Sequence, residues 1–520
     1  PRRHLRAPRR GRRRREAANV RLGDLLRQSD PQRAAIPALP VDPDIAGISA
    51  DSRAVRRGWL FAALPGSKLD GATFARQAVA AGAVAVLAGE SADLGAVPPH
   101  VVVLRDPEPR RRLARMSAAF AGPQPRVVVA VTGTSGKTSV AEFARQMFAG
   151  AGFAAASVGT LGIVSPTLTR PPGLTTPDPV QLHRDLASLA RDGVHYLAIE
   201  ASSHGLDQYR LDGIRFSAAA FTNLSRDHLD YHPTLAAYLA AKARLFEELL
   251  PGGATSVINA DSDHAAPLID ICRRRRHRLW CYGVAGDELR LDAATPHGGG
   301  QHLQLNLFGR RYDVELPLIG AFMAGNALAA LGLTVAVGVP VDSAVATMAR
   351  LKGAPGRLEH VATHPAGTPV LVDYAHKPDA LEQVLRALRP HTRGRLIVVF
   401  GCGGDRDPGK RPIMGEIAAR LADLAIVTDD NPRSEDPATI RAAILAGAMA
   451  QSDTVIEISA GRRAAIRAGL EAVHGADDVL VIAGKGHERG QTIAGVTHPF
   501  DDAAVARELV GGPPARGAAA

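Results

Sequence analysis

Cysteine is scarce: Cys272, Cys281 and Cys402 are the only three in 520 residues, and none shares a CxxC spacing with another. That usage excludes a disulfide framework and a thiolate zinc site, and fits a reducing cytoplasm. Aromatic residues make up only 4% of the chain, so its cores must be built from Ala, Val and Leu. The longest nearly uninterrupted apolar run, Ala327 to Val341, contains Thr334 and falls short of the ~18 residues a membrane-spanning helix needs. No membrane insertion is expected. A hydrophobic fraction of 46% with 22% charged residues excludes disorder as the main state.

Acidic charge is the apparent deficit, because the net charge is +10. Residues 1–16 hold nine arginines and one glutamate, so everything after them sums to only +2. Arg273–Arg276 with Arg278 supply +5 more, which leaves the rest at −3. The folded body is therefore not basic. Residues 1–16 contain no aromatic residue on which bases could stack, and no nucleic-acid partner is expected. Residues 1–19 read as a basic tail outside the fold, lacking the apolar core of a secretory signal.

The length implies three domains. Glycine and proline interrupt the pattern near 121–126 (AGPQPR) and near 353–357 (GAPGR). The expected class is α/β: a small N-terminal α/β module at 20–121, a central parallel-sheet domain at 122–354 and a C-terminal Rossmann-like domain at 355–520. In the centre, RVVVAV (126–131), HYLAIEAS and AAAFTNLS read as strands, Lys137 to Ala149 and AAYLAAKARLFEELL as helices, and 298–318 as an antiparallel hairpin. In the last third TPVLVDYA, RLIVVFG, LAIVTDD and DVLVIAG read as strands, although no GxGxxG opens the first helix.

Residues 130–139, AVTGTSGKTS, run from an apolar strand through a Gly-rich turn into a helix. Triphosphate binding needs these parts: small residues let backbone N–H groups close on phosphates, the helix dipole favours anions, and a lysine reaches the outer oxygens. Gly133, Thr134, Ser135, Gly136, Lys137, Thr138 and Ser139 are the candidate residues, with Thr138 placed to ligate Mg²⁺. The generic pattern would need Gly at 131, where Val131 stands, so the shorter TGTxGKT form is present. Glu200 ends one strand, His228 follows another, and Lys242 lies on the next helix. A carboxylate and an imidazole at the carboxyl ends of parallel strands share the crevice where doubly wound sheets bind ligands, which points to a metal site.

TGTSGKT, EASSHGL, NLSRDHLDYH, APGR, DYAHKPDAL, GCGGDRDPGKR, DDNPRSEDP and GKGHE occur in the order of the Mur ligase family, and residues 20 to 510 resemble it. The resemblance implies an N-terminal UDP-binding module, a central P-loop ATPase domain and a C-terminal domain for the incoming amino acid. It implies ATP as cosubstrate, two Mg²⁺, and ADP-forming ligation through an acyl phosphate. The implied site is assigned by position. Ser52, Ser67, Lys68 and Leu69 would face the UDP-sugar, and Thr175, Thr176, Ser202, Gln208 and Arg210 the muramoyl dipeptide. The family's Asn before the two threonines is Leu174 here, which removes one amide contact. Thr138, Glu200, His228 and an N-carboxylated Lys242 would hold metal, while Asn326, Arg357 and Asp373 would lie near the nucleotide, with Lys137 and Arg357 opposing phosphoryl charge.

The match is nearest to the members that add the third residue of the peptidoglycan peptide, and DNPR, Asp430 to Arg433, is the pattern of those adding meso-diaminopimelate. Arg406, Asp430, Asn431, Pro432, Arg433, Gly484 and Glu488 are the implied amino-acid site. An arginine fork suits the carboxylate that distinguishes diaminopimelate from lysine. The resemblance thus implies a cytoplasmic monomer acting on UDP-N-acetylmuramoyl dipeptide, meso-diaminopimelate and ATP. A lysine-adding homologue and a ligase like folylpolyglutamate synthase are the alternatives, and a P-loop ATPase stimulated by nucleic acid is the reading from another class.

Overall fold

The computed structural model describes residues 19–31, 39–66, 69–171, 173–228, 231–297, 299–448 and 454–511. The arginine-rich residues 1–18 and the candidates Ser67 and Lys68 lie outside the described residues. The described residues form two compact units: one within Pro1–Gln124, Asp178–Ser188 and Gln208–Ile214, the other within Pro125–Pro177, Leu189–Asp207 and Arg215–Ala520.

The first unit holds a four-stranded parallel sheet in the order Gly47–Ser49, Trp59–Ala63, Ala85–Gly89, Val102–Asp106. Its strands are short and Ala/Val-rich because both faces are covered. Leu60, Leu87 and Leu104 pack on one face with Leu22, Leu25, Leu113 and Met116 from the helices Leu22–Ser29 and Pro109–Ala121. Phe61, Val86 and Ala88 face the other way, into a second cluster.

The second unit contains two large sheets. One has eleven strands, its centre parallel in the order Ala155–Gly159, Tyr196–Glu200, Val127–Thr132, Ala218–Phe221, Thr255–Asn259, Arg278–Gly283. Helix Lys137–Gly150 buries Val140, Phe143, Met147 and Phe148 in the core that also holds Leu328 and Leu331 of helix Phe322–Ala336. That second helix overlaps the longest apolar run and, buried along most of its length after the exposed Phe322, is apolar on nearly every face. The expected hairpin is present as Gly300–Leu307 and Arg310–Leu316, extended by Leu289–His297 into a three-stranded meander.

The other sheet runs Glu359–Thr363, Pro369–Asp373, Val479–Ala483, Leu396–Phe400, Leu424–Val427, Val455–Glu457. The first pair is antiparallel and the rest are parallel. The four strands read from the sequence are its buried centre. The two edge strands were not read, because their exposed polar residues break the apolar run. The expected helix AAYLAAKARLFEELL is α-helical over Leu235–Arg244 and then widens to a π turn at Leu245–Leu249.

Candidate active site

The phosphate loop follows strand Val127–Thr132 and ends at Gly136, which caps helix Lys137–Gly150 in the left-handed region at φ +87°. A Cβ on Gly133 would lie 1.9 Å from the Thr222 hydroxyl, and one on Gly136 would lie 2.5 Å from Asn326 Oδ1. Both positions therefore demand glycine, and the second brings Asn326 against the loop. Asn223 fastens the turn: its Oδ1 accepts from the Ser135 N–H at 2.9 Å and its carbonyl from the Thr134 N–H at 2.9 Å. Lys137 Nζ donates to the carbonyls of Gly133 and Thr134, each at 2.8 Å. Burial pushes its pKa down, while Glu200 and Asp227 pull it up.

Glu200 ends the neighbouring parallel strand with only 2% exposure, so its carboxylate must be satisfied from within. Oε2 accepts from Thr138 Oγ1 at 3.1 Å and from Thr160 Oγ1 at 3.1 Å, and Oε1 accepts from the Thr160 N–H at 2.7 Å. The Glu200 carbonyl takes the Thr176 hydroxyl at 3.0 Å, and Thr176 Oγ1 stands 2.9 Å from Ser202 Oγ. Thr175 Oγ1 lies 3.2 Å from Thr160 Oγ1. One glutamate thus joins the phosphate-loop helix to the candidate acceptor residues Thr175, Thr176 and Ser202. Gly159 makes the room, since a Cβ there would sit 2.1 Å from Glu200 Oε1.

Lys242 is 1% exposed; its Nζ donates to the Gly133 carbonyl at 2.8 Å and stands 4.2 Å from the Tyr238 ring centroid. Burial first, then the Lys137 ammonium, push its pKa well below the ordinary lysine value, against Asp227. Burial thus favours the uncharged amine over the ammonium. His228, at φ +54°, keeps its ring beside Asp227, with Nε2 3.6 Å from Oδ2. Its pKa is pushed down to about 4, chiefly by burial, leaving a neutral imidazole at pH 7.

Among the described residues no three His, Cys, Asp or Glu side chains converge on a metal position. Thr138 and Glu200 do converge, and Mg²⁺ accepts few protein ligands while preferring oxygen. This oxygen pair fits Mg²⁺.

In the C-terminal sheet, Asp373 Oδ2 accepts from the Leu358 N–H and Oδ1 from the Ala375 N–H, both at 2.8 Å, so it braces the turn carrying Arg357. The Arg357 guanidinium lies 4.7 Å from the Tyr374 ring centroid, and its Nε is buried with no hydrogen-bond partner. A phosphate oxygen would satisfy that donor. Gly356, at φ +67°, presses on the next loop, where a Cβ would meet His487 N at 2.2 Å and Gly486 C at 2.4 Å.

The DNPR and GKGHE loops leave the ends of strands Leu424–Val427 and Val479–Ala483. Asn431 Nδ2 donates to Glu488 Oε2 at 3.0 Å, and the Asp430 carboxylate packs 2.9 Å from where a Cβ would stand on Gly484. Arg433, at φ +55°, donates from its backbone to Thr492 O at 2.9 Å and from Nη1 to Gly404 O at 2.7 Å. The Pro432 carbonyl lies 1.9 Å from where a Cβ on Gly404 would stand. Arg406, two residues on, is exposed and donates to Asp405 O at 3.3 Å.

Other candidates are placed within their own units. In the first, Ser52 Oγ donates to Gln77 Oε1 at 3.1 Å, Arg210 Nη2 donates to Gln208 Oε1 at 2.6 Å, and Leu69 is 66% exposed. In the second, Ser139 is buried on the phosphate-loop helix, and Leu174 is exposed beside the threonine pair. Sequence reasoning missed Thr160, Asn223, Tyr374 and Lys485. Asn223, Tyr374 and Lys485 sit inside quoted motifs, and Tyr374 and Lys485 adjoin residues that were singled out. Thr160 carries no motif signal.

Three family profiles match in succession: "Mur ligase family, catalytic domain" over residues 44–121, "Mur ligase middle domain" over 131–334, and "Mur ligase, glutamate ligase domain" over 356–486. The chain is 54% identical over 461 residues to the UDP-N-acetylmuramoyl-L-alanyl-D-glutamate–2,6-diaminopimelate ligase of Mesorhizobium japonicum, covering 89% of this chain and 94% of that one. It is 53% identical over 459 residues to the ligase of the same name from Brucella melitensis biotype 1, covering 88% and 92%. A solved structure of a ligase of that name superposes with a TM-score of 0.71 at 36% identity, covering 95% of this chain and 99% of that one. The chain belongs to the Mur ligase family.

Proposed function

We propose that the protein is an ATP-dependent, ADP-forming ligase that joins meso-diaminopimelate to the γ-carboxyl of D-glutamate in UDP-N-acetylmuramoyl-L-alanyl-D-glutamate. It thereby makes a peptidoglycan precursor. The carrying observation is Glu200, whose carboxylate holds Thr138 on the phosphate-loop helix while its carbonyl holds Thr176. The likeness to relatives above 50% identity supports the same substrate pair. We assign residues 20–121 to the UDP-sugar, 122–354 to ATP and 355–520 to the amino acid, and place the enzyme in the cytoplasm, where ATP and nucleotide-linked precursors are available.

A carboxylate is a poor acylating agent. Its oxygen attacks the γ-phosphorus of ATP, the bond to the β-phosphate oxygen breaks, and ADP leaves with an acyl phosphate formed. The free amine of diaminopimelate then attacks the acyl carbon, its nitrogen releases one proton, and phosphate departs from the tetrahedral intermediate, leaving the amide. The phosphate-loop N–H groups, the helix dipole and Lys137 stabilise charge on the transferring phosphoryl group, and Arg357 presents its buried donor from the opposite loop. Thr138 and Glu200 would hold Mg²⁺, with carboxylated Lys242 and His228 supplying further donors for a second ion. When bound, the metal neutralises phosphate charge.

Arg433 is assigned to the distal carboxylate of diaminopimelate, Arg406 to the other carboxylate and Glu488 to the distal ammonium. The test is kcat/KM for diaminopimelate and for lysine, by phosphate release with the UDP-muramoyl dipeptide, in wild type and Arg433→Lys. Losing a bidentate pair costs on the order of 2–5 kcal/mol, so the variant's KM for diaminopimelate should rise at least about 30-fold and its discrimination should fall. Efficient lysine addition by the wild type would overturn the assignment.

A further inference from the structure

Lys485 stands between the motif positions Gly484 and Glu488, and its side chain is 0% exposed. A buried lysine needs partners, and three residues of the amino-acid site supply them. Its ammonium donates to Asn431 Oδ1 at 3.2 Å and lies 3.6 Å from Glu488 Oε2 and 3.8 Å from Asp430 Oδ1. Asp430 Oδ1 is itself buried with no hydrogen-bond partner, so the Lys485 charge compensates it through space.

The Asn431 amide is what this lysine controls. Oδ1 accepts from Lys485 Nζ and, at 3.0 Å, from the Thr492 N–H. Two donors on one side fix which end of the amide is oxygen, leaving Nδ2 to face Glu488 Oε2 at 3.0 Å. Without Lys485 one of those constraints is gone, the amide can rotate, and the Asp430 and Glu488 carboxylates lose the cation between them.

We propose that Lys485 is a positioning residue for the amine donor: it locks the Asn431 amide, and through it the Glu488 carboxylate, in the orientation that receives the ammonium of the incoming amino acid. This rests on the ligase reading above. The backbone of both loops has a separate anchor. Arg462 and Asp502, both 0% exposed, form a bidentate pair at 2.7 Å, and Arg462 also donates to Ala483 O at 2.9 Å and Asp429 O at 3.4 Å. The frame therefore does not depend on Lys485.

The test uses the full chain with Lys485→Met, Glu488→Gln and the double variant. Wild type ligating diaminopimelate to the UDP-muramoyl dipeptide validates the underlying reading; no ligation by wild type sinks that reading and this inference with it. Given ligation, Lys485→Met should raise the KM for diaminopimelate roughly 10- to 100-fold, the worth of a hydrogen bond to a charged group. The KM for ATP, the KM for the UDP-substrate and acyl-phosphate formation trapped by hydroxylamine should stay within about twofold, because these steps precede the amine. In the Glu488→Gln background the same change should add less than about threefold, because the lysine acts through that carboxylate. An unchanged KM for diaminopimelate, an equal rise for all three substrates, or full additivity overturns the inference. Lys485→Leu, which likewise removes the donor towards Asn431, replaces the Met variant if that fails to fold; an unchanged KM, or failure of both to fold, assigns the lysine elsewhere and overturns it equally.

Discussion

Replacing Lys242 by methionine should leave the protein as stable as before, or more so, while abolishing ligation. Methionine keeps the length and most of the volume of lysine, so little cavity forms. Lost are the bond from Nζ to the Gly133 carbonyl at 2.8 Å and the contact with the Tyr238 ring at 4.2 Å. The first is worth about 1.5–3 kcal/mol and the second up to about 2. Recovered is the cost of taking the amine to 1% exposure, incurred either by desolvating the ammonium or by giving up its proton, several kcal/mol, plus roughly 2 kcal/mol for burying an apolar side chain. The balance lies between about zero and 3 kcal/mol in favour of methionine at pH 7. The balance also depends on pH. Burial lowers the lysine pKa in the folded state, so between that value and the ordinary lysine pKa the unfolded chain binds more protons and wild-type stability rises with pH. The methionine advantage should therefore be largest near neutrality and shrink towards pH 10.5. Urea unfolding in bicarbonate-free buffer at both pH values measures this. Ligation by phosphate release should fall about 10³-fold, since the carbamate proposed at this position cannot form. A methionine variant destabilised by more than about 3 kcal/mol, or one that keeps wild-type turnover, refutes the reasoning.

Gly159→Ala places a methyl 2.1 Å from Glu200 Oε1 and 2.5 Å from its Cγ, so the carboxylate must leave Thr138 and Thr160. Turnover should fall about 10²-fold at a stability cost of about 1–3 kcal/mol; wild-type kinetics would show that the carboxylate position is immaterial. Burial holds His183, His376 and His487 down to about 4 in the folded protein, below the ordinary 6.5. Unfolding then takes up protons between those values, so the urea midpoint should drop as pH falls from 6.5 to 4, and a flat profile would contradict the burial account.

The phosphate loop was legible because strand, glycine turn and helix are one contiguous stretch whose chemistry depends on backbone geometry. Glu200 was legible as a carboxylate at a strand end, but its link to Thr160 was not, because that threonine lies 40 residues away with nothing in its neighbours to mark it. Asn223 is similar: its bonds to the loop span 88 residues and are fixed by which parallel strands pair. The central strands of both sheets were readable as apolar runs. Edge strands such as Val455–Glu457, largely exposed, were not. Nor could local pattern show that Asp178–Ser188 and Gln208–Ile214 join the N-terminal unit, since that grouping rests on tertiary contacts. The Asn431 to Lys485 pairing across 54 residues escaped for the same reason.

The backbone-to-backbone seat of Gly356 on Gly486 has a thermodynamic consequence. Arg357 follows the first glycine, Lys485 and Glu488 lie beside the second, and the backbones meet so closely that a Cβ on Gly356 would stand 2.2 Å from His487 N and one on Gly486 3.0 Å from Gly356 O. On the proposed assignment of Arg357 to the nucleotide and of the second loop to the amino acid, a ligand that shifts Arg357 is felt at the amino-acid loop, and linkage makes the effect mutual. Whatever factor bound nucleotide applies to the affinity for the amino acid, the amino acid returns to the nucleotide. An inhibitor wedged against either loop would change its own apparent affinity with the concentration of the substrate at the other.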